Sequence, residues 1–155
     1  MRLTRFTDYS LRTLIYLGLH DDSLASIAEV AHAYRVKENH LTKVVAHLAQ
    51  LGLVETVRGR RGGLRLARPP AQIRVGEVVR ATEDNLAIVE CFASTTCQLT
   101  GACQLELALH EALDAFLAVL DRYTLDDLVF GPPNLAARIG LSRRLRPDVP
   151  RRPGN

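Results

Sequence analysis

All three cysteines of this 155-residue chain lie in the stretch CFASTTCQLTGAC, at Cys91, Cys97 and Cys103, with two equal gaps of five residues between them. Structural zinc sites bring close C-x2–4-C pairs to one tetrahedral ion, and dithiol redox centres use C-x-x-C. Neither spacing is present. Three thiolates spread along an open loop suit a body larger than a single ion, and soft sulfur ligands suit iron–sulfur clusters. The plainer reading is three inert buried thiols. Thr95, Thr96, Thr100 and Gly101 keep the segment out of regular structure, and backbone amides there can donate to cluster sulfides. With Thr100 capping the helix that follows, Cys103 is expected in the first helical turn, where the positive end of the dipole favours a thiolate. Thiol catalysis would need a base beside the nucleophile, and the histidines form no such grouping in the sequence.

The cysteines need elements to hold them. A chain that is 47% hydrophobic over 155 residues can build one domain with a real core. The N-terminal MRLTRFTDYS has no signal-peptide character, and the run over residues 14–19 is too short to span a bilayer, so a cytoplasmic protein with no membrane partner is expected. Structural disulfides are not expected there. The net charge of +3 hides a pattern. Residues 1–70 hold eleven Lys and Arg against six Asp and Glu, residues 71–130 hold three against ten, and residues 131–155 hold six against one. A basic front and a basic tail around an acidic middle imply that only part of the chain meets an anionic partner.

Residues 5–20 carry Phe6, Tyr9, Leu11, Leu14, Ile15 and Leu17 mostly at helical spacing, predicting a helix that Asp21 and Asp22 end. SIAE at residues 26–29 predicts a capping box opening a short helix over 27–34. After the break RVK, Leu41, Val44, Val45, Leu48 and Leu51 form an apolar stripe that Gly52 terminates, with Glu38, Asn39, His40, Thr42, Lys43 and His47 on the other face. Two short helices, a tight turn and a polar second face make a helix-turn-helix. Two short strands over 53–57 and 64–67 then flank Arg58-Gly59-Arg60-Arg61-Gly62-Gly63, and Pro69 and Pro70 stop the second strand. Directly after a helix-turn-helix, such a tip is a β-wing whose arginines grip phosphates or enter the minor groove.

A further short helix is expected over 75–83. Beyond the cysteines, Leu105, Leu109, Ala112, Leu113, Phe116, Leu117, Leu120 and Tyr123 keep a helical stripe that is long for a small winged helix to cover. Its apolar face can pack on its own domain, but pairing with a second copy is the better expectation, and dimerisation suits a palindromic operator in double-stranded DNA. Thr124 with Asp127 offers a cap for a last short helix, and Pro132, Pro133 and the arginines that follow predict a flexible basic tail. The expected fold is mainly α: a winged helix-turn-helix domain with a two-stranded β-wing and a long dimerisation helix. Residues 1–83 form the DNA-binding domain, 84–103 the cysteine loop, 104–130 the dimerisation helix and a short helix, and 131–155 the tail.

FTDYSLRTLIYL, ENHLTKVV with LGLVETVRGRRGGLRLA, and the C-x5-C-x5-C loop together resemble the winged-helix iron–sulfur repressors, the family that includes IscR and NsrR, over about residues 1–130. Within it the chain looks most like the nitric oxide-sensing NsrR branch. The resemblance implies a homodimer with one [4Fe-4S] cluster per subunit on Cys91, Cys97 and Cys103, and a fourth ligand, Asp8, reaching across from the partner. It also implies nitric oxide as signal. IscR-like members use a histidine three residues after the last cysteine, where this chain has Glu106. Relatives often have a small capping residue before the recognition helix, where this chain has Lys37.

Plainer roles stand beside these. Asp8 can favour the dipole at a helix N-terminus, and His110 can be a surface histidine or an iron ligand. Asn39 can read adenine, Lys43 guanine or a phosphate, and His40 lies beside them; all three can equally be a solvated face. Cluster-status sensing of the IscR kind and iron–sulfur electron transfer or cluster carriage are the alternative functions. The last of these has no use for a winged helix.

Overall fold

The computed structural model of the chain describes residues 2–20, 23–92, 97, 102–130 and 135–141. The first helix, α1 (Arg5–Leu19), starts where the Thr4 hydroxyl accepts the Thr7 amide at 3.2 Å, satisfying an amide with no partner inside the helix. Helix α2 (Ile27–Tyr34) has the expected capping box: the Ser26 amide donates to Glu29 Oε2 at 2.6 Å, and the Glu29 amide to Ser26 Oγ at 3.1 Å. Arg35, in the left-handed region at φ 54°, turns the chain into α3 (Glu38–Gln50). Its N-cap is Lys37, which makes no side-chain capping bond. Leu41, Val44, Val45 and Leu48 are buried as the stripe requires. Leu51 is not; it lies past the last helical residue, so the periodicity no longer aims it at the core.

Strands β1 (Val54–Val57) and β2 (Gly63–Leu66) pair antiparallel, Val54 opposite Leu66 and Glu55 opposite Arg65. The tip depends on two glycines. Gly59 sits at φ 116°, and a Cβ on Gly62 would run into the Val57 carbonyl. A 3-10 turn, Pro70–Gln72, leads to α4 (Val75–Thr82), followed by α5 (Gln104–Asp121), α6 (Leu125–Phe130) and α7 (Leu135–Arg138). The expected cap of α6 forms, with the Thr124 amide donating to Asp127 Oδ2 at 2.8 Å.

The principal core joins Leu14 and Leu17 of α1, Val30 of α2, Leu41 and Leu48 of α3, Leu53 and Leu64 of the wing, and Ile73 to Leu125 and Val129 of α6. This core therefore draws on residues well past 83. Two hydrogen bonds close the neck from which α4 and α5 project: the Leu125 amide donates to the Ile73 carbonyl at 2.8 Å, and the Val75 amide to the Tyr123 carbonyl at 2.9 Å. Above the neck, Arg80 holds Asp121 through two bonds of 2.7 and 2.6 Å, and Val75 and Val79 pack on Leu113, Phe116, Leu117 and Leu120. Part of the long apolar stripe is thus covered by its own chain. Leu105, Leu107 and Val119 of α5, and Tyr123 just beyond it, stay exposed.

The end of the chain departs from the expected flexible tail at α7, where Ala136 is buried and Ile139 and Leu141 pack on the core. Arginine-rich composition hid this short apolar pattern. Asp21, Asp22, Pro132, Pro133 and residues 142–155 lie outside the described residues. Among the described residues no helix is long and apolar enough to cross a membrane.

Candidate nucleic-acid interface and cysteine loop

Packing buries one side of α3 and leaves Asn39, His40 and Lys43 exposed on the other. The N-terminal half of α1 comes alongside, so that Arg5, Phe6 and Tyr9 share a cleft with those three residues and Val44. Tyr9 and His40 stand with ring centroids 6.3 Å apart. Sequence reasoning placed Phe6 and Tyr9 on a buried face and overlooked Arg5. The i, i+4 spacing of Arg5 and Tyr9, one helical step along a single face, was the available signal.

At the wing, Arg58, Arg60 and Arg61 are exposed and make no ion pair among the described residues. Arg65, opposite Glu55 in the strand pair, is bound to it at 2.9 Å. That bond holds the Glu55 carboxyl below its usual range and keeps the Arg65 guanidinium protonated. The pairing ties up the strand arginine and leaves the tip charges free for an anion. His47, expected on the polar face, instead turns inward and is half-buried.

Cys91 lies in a 3-10 turn, Glu90–Phe92, so the loop enters in a tighter conformation than an open coil. Cys103 is the N-cap of α5 and not a member of its first turn, and it makes no side-chain capping bond. Thr95, Thr96, Thr100 and Gly101, which were to shape the loop and cap α5, lie outside the described residues. Cys91 and Cys103 are half-buried, Cys97 is exposed, and none of the three is in a disulfide. Burial pushes the Cys91 thiol up first, followed by the charges of Glu106, Cys97 and Cys103. Glu106 and the other two sulfurs are thus the charges that Cys91 feels. Sulfur donors outside any disulfide, whose mutual repulsion a cation would relieve, are chemically suited to an iron–sulfur cluster. Among the described residues no three His, Cys, Asp or Glu side chains form a metal-binding group within the single chain.

Asp8 sits in the first turn of α1 and accepts Arg12 Nε at 2.9 Å, with both side chains partly exposed. His110, the local alternative iron ligand, stacks flat on Phe92 with centroids 3.7 Å apart.

Residues 3–131 match the Rrf2 family, described as iron-dependent transcriptional regulators. The chain belongs to the Rrf2 family. Among its relatives, the transcriptional regulator NsrR of Shouchella clausii is 54% identical over 140 residues, 88% of this chain and 94% of that protein. The solved structure of CymR, the global cysteine regulator of B. subtilis, aligns with a TM-score of 0.72 at 27% identity, covering 85% of this chain and 98% of the other. T. potens IscR aligns with a TM-score of 0.67 at 26% identity, covering 83% and 86%. Like its Rrf2 relatives, the chain is a winged-helix transcriptional regulator that binds DNA; it is not an enzyme.

Proposed function

We propose that this regulator is a cytoplasmic, nitric oxide-sensing repressor whose homodimer carries one [4Fe-4S] cluster per subunit and binds operator DNA only while the cluster is intact. Cys91, Cys97 and Cys103 would hold the cluster, with Asp8 of the partner subunit as fourth ligand. The observation that carries this reading is the placement of Cys91 in the turn Glu90–Phe92 and of Cys103 at the start of α5, on either side of Cys97, in a chain 54% identical to a regulator named NsrR. When bound, the cluster supplies iron with which nitric oxide reacts.

The chain's own groups do the rest. A carboxylate oxygen is a harder and weaker donor to iron than thiolate, so Asp8 would be the most weakly held of the four ligands, and without iron it pairs with Arg12. A ligand supplied by the partner would tie the two subunits together, and the exposed Leu105, Leu107 and Val119 of α5 offer the dimer an apolar surface. On the DNA, Asn39, His40 and Lys43 face the major groove, while Arg58, Arg60 and Arg61 take phosphates or the minor groove. Glu106, at the position where IscR-like members carry a histidine, favours this reading over cluster-status sensing.

The test is a mobility shift with protein purified without oxygen, its iron and sulfide measured. Cluster-loaded dimer is expected to shift a palindromic operator; the stripped protein, and loaded protein exposed to nitric oxide, are expected to leave it free. Equal shifts by loaded and stripped protein at one salt concentration would refute the proposal.

A further inference from the structure

We infer that His47 is a positioning residue: it ties the setting of the DNA-reading helix α3 to the last turn of α4, the turn from which the cysteine loop departs. The inference deepens the cluster-dependent reading above and rests on it for its regulatory meaning.

The ring of His47 reaches the Ala81 carbonyl with Nε2 at 2.9 Å. A carbonyl only accepts, so Nε2 carries the proton. The carbonyls of a helix's last turn have no partner within the helix, and α4 ends at Thr82, so this acceptor needs an outside donor. The other side of the imidazole meets the Phe6 ring of α1, centroids 5.4 Å apart and nearly edge-on. His47 is thereby held between α1 and α4.

The two residues after Ala81 are bonded as well. The buried Thr82 hydroxyl donates to Thr7 Oγ1 at 2.9 Å, and Glu83 Oε1 accepts the Thr4 amide at 2.7 Å and the Thr4 hydroxyl at 3.1 Å. Three consecutive residues at the root of the cysteine loop therefore grip the DNA-reading helix and the first turn of α1. Asn39, Lys43 and His47 lie at successive four-residue steps along α3, and such steps share one side of a helix. The first two are exposed toward DNA, and the third is turned into the protein. Because a helix moves as a rod, a displacement of the α4 end transmitted at His47 changes how Asn39 and Lys43 are presented.

Two variants separate this role from its rivals. His47→Phe keeps a ring against Phe6 and loses the donor, whereas His47→Gln keeps an N–H close to the position of Nε2. Operator affinity is measured by fluorescence anisotropy for cluster-loaded and stripped forms over a range of salt. Losing the donor to this part-buried carbonyl is expected to weaken the loaded His47→Phe dimer by about tenfold, toward the stripped value. Its cluster absorbance and salt slope are expected to stay as in wild type, and His47→Gln is expected to recover most of the affinity. A loaded-to-stripped ratio unchanged in His47→Phe would overturn the inference. So would a reduced salt slope, which would make His47 a phosphate contact, or a loss in His47→Gln as large as in His47→Phe.

Wild-type protein that binds equally in both forms would instead refute the cluster-dependent reading. Amide hydrogen exchange on the stripped protein decides the positioning role independently of that reading. In His47→Phe, exchange is expected to quicken together over residues 44–50 and 81–84. Quickening confined to α3 would overturn the tie.

Discussion

Glu29 shows how much a single side chain contributes to the DNA-reading half. It accepts the Ser26 amide while its own amide donates to Ser26 Oγ, and these bonds, the backbone one foremost, hold its carboxyl below the usual range. A depressed carboxyl stabilises the fold above its unfolded value near 4.5, and the contribution fades as pH falls through the lower folded value. Replacing Glu29 with Gln is therefore expected to flatten the dependence of the urea midpoint on pH in the acid range and to cost little below it. A midpoint that falls as steeply with acid in the variant as in wild type would show that the cap does not govern this step. The pair of residues was legible in the sequence because a capping box is local chemistry, four residues long. His47 was not, because its direction depends on Phe6 and on a carbonyl that a distant helix end leaves unpaired. Polar residue type alone gave it to solvent, whereas α1 and α4 cover that end of the face.

Elements show the same division between local and distant causes. The wing was readable from its glycines and from the alternation on either side, and its register gives each arginine a distinct environment. Arg65 is neutralised by Glu55, whereas Arg60 and Arg61 stand free of such pairing at the tip. Each phosphate neutralised adds about 0.9 to the slope of log affinity against log salt, so replacing Arg60 and Arg61 together by Ala is expected to reduce that slope by about 1.8 per subunit, about 3.6 for a dimer with both wings on the DNA. Titration of operator binding over a range of salt measures it, and an unchanged slope would put the wing off the backbone. The helix carrying Cys103 was also readable, but its start was not. Helix boundaries depend on which residue is the last to keep extended backbone, and Cys103 takes that position itself. The short α7 escaped notice because four residues in a basic, proline-bearing segment give too little periodicity to register.

At the scale of the whole molecule, the division by chain position and the division in space differ. The helix-turn-helix and wing are read from residues 1–83, yet their core is completed by Leu125 and Val129, which return across the neck to pack on α1. No local pattern announces that return. Gly18 permits it, since a Cβ there would come within 2.7 Å of Val129 Cγ2. Leu125→Ala is accordingly expected to destabilise the DNA-reading half by about 2–5 kcal/mol, a core cavity cost, although it lies far from that half in sequence. Urea unfolding followed by circular dichroism checks this, and a loss under about 1 kcal/mol would mean that α6 is not integral to the core. The returning helix also imposes an order on biosynthesis. Chains leave the ribosome from the N-terminus, so Cys91, Cys97 and Cys103 emerge before Leu125 and Val129 can seal the core. The thiols thus leave the ribosome while the core of the DNA reader still lacks its closing helix.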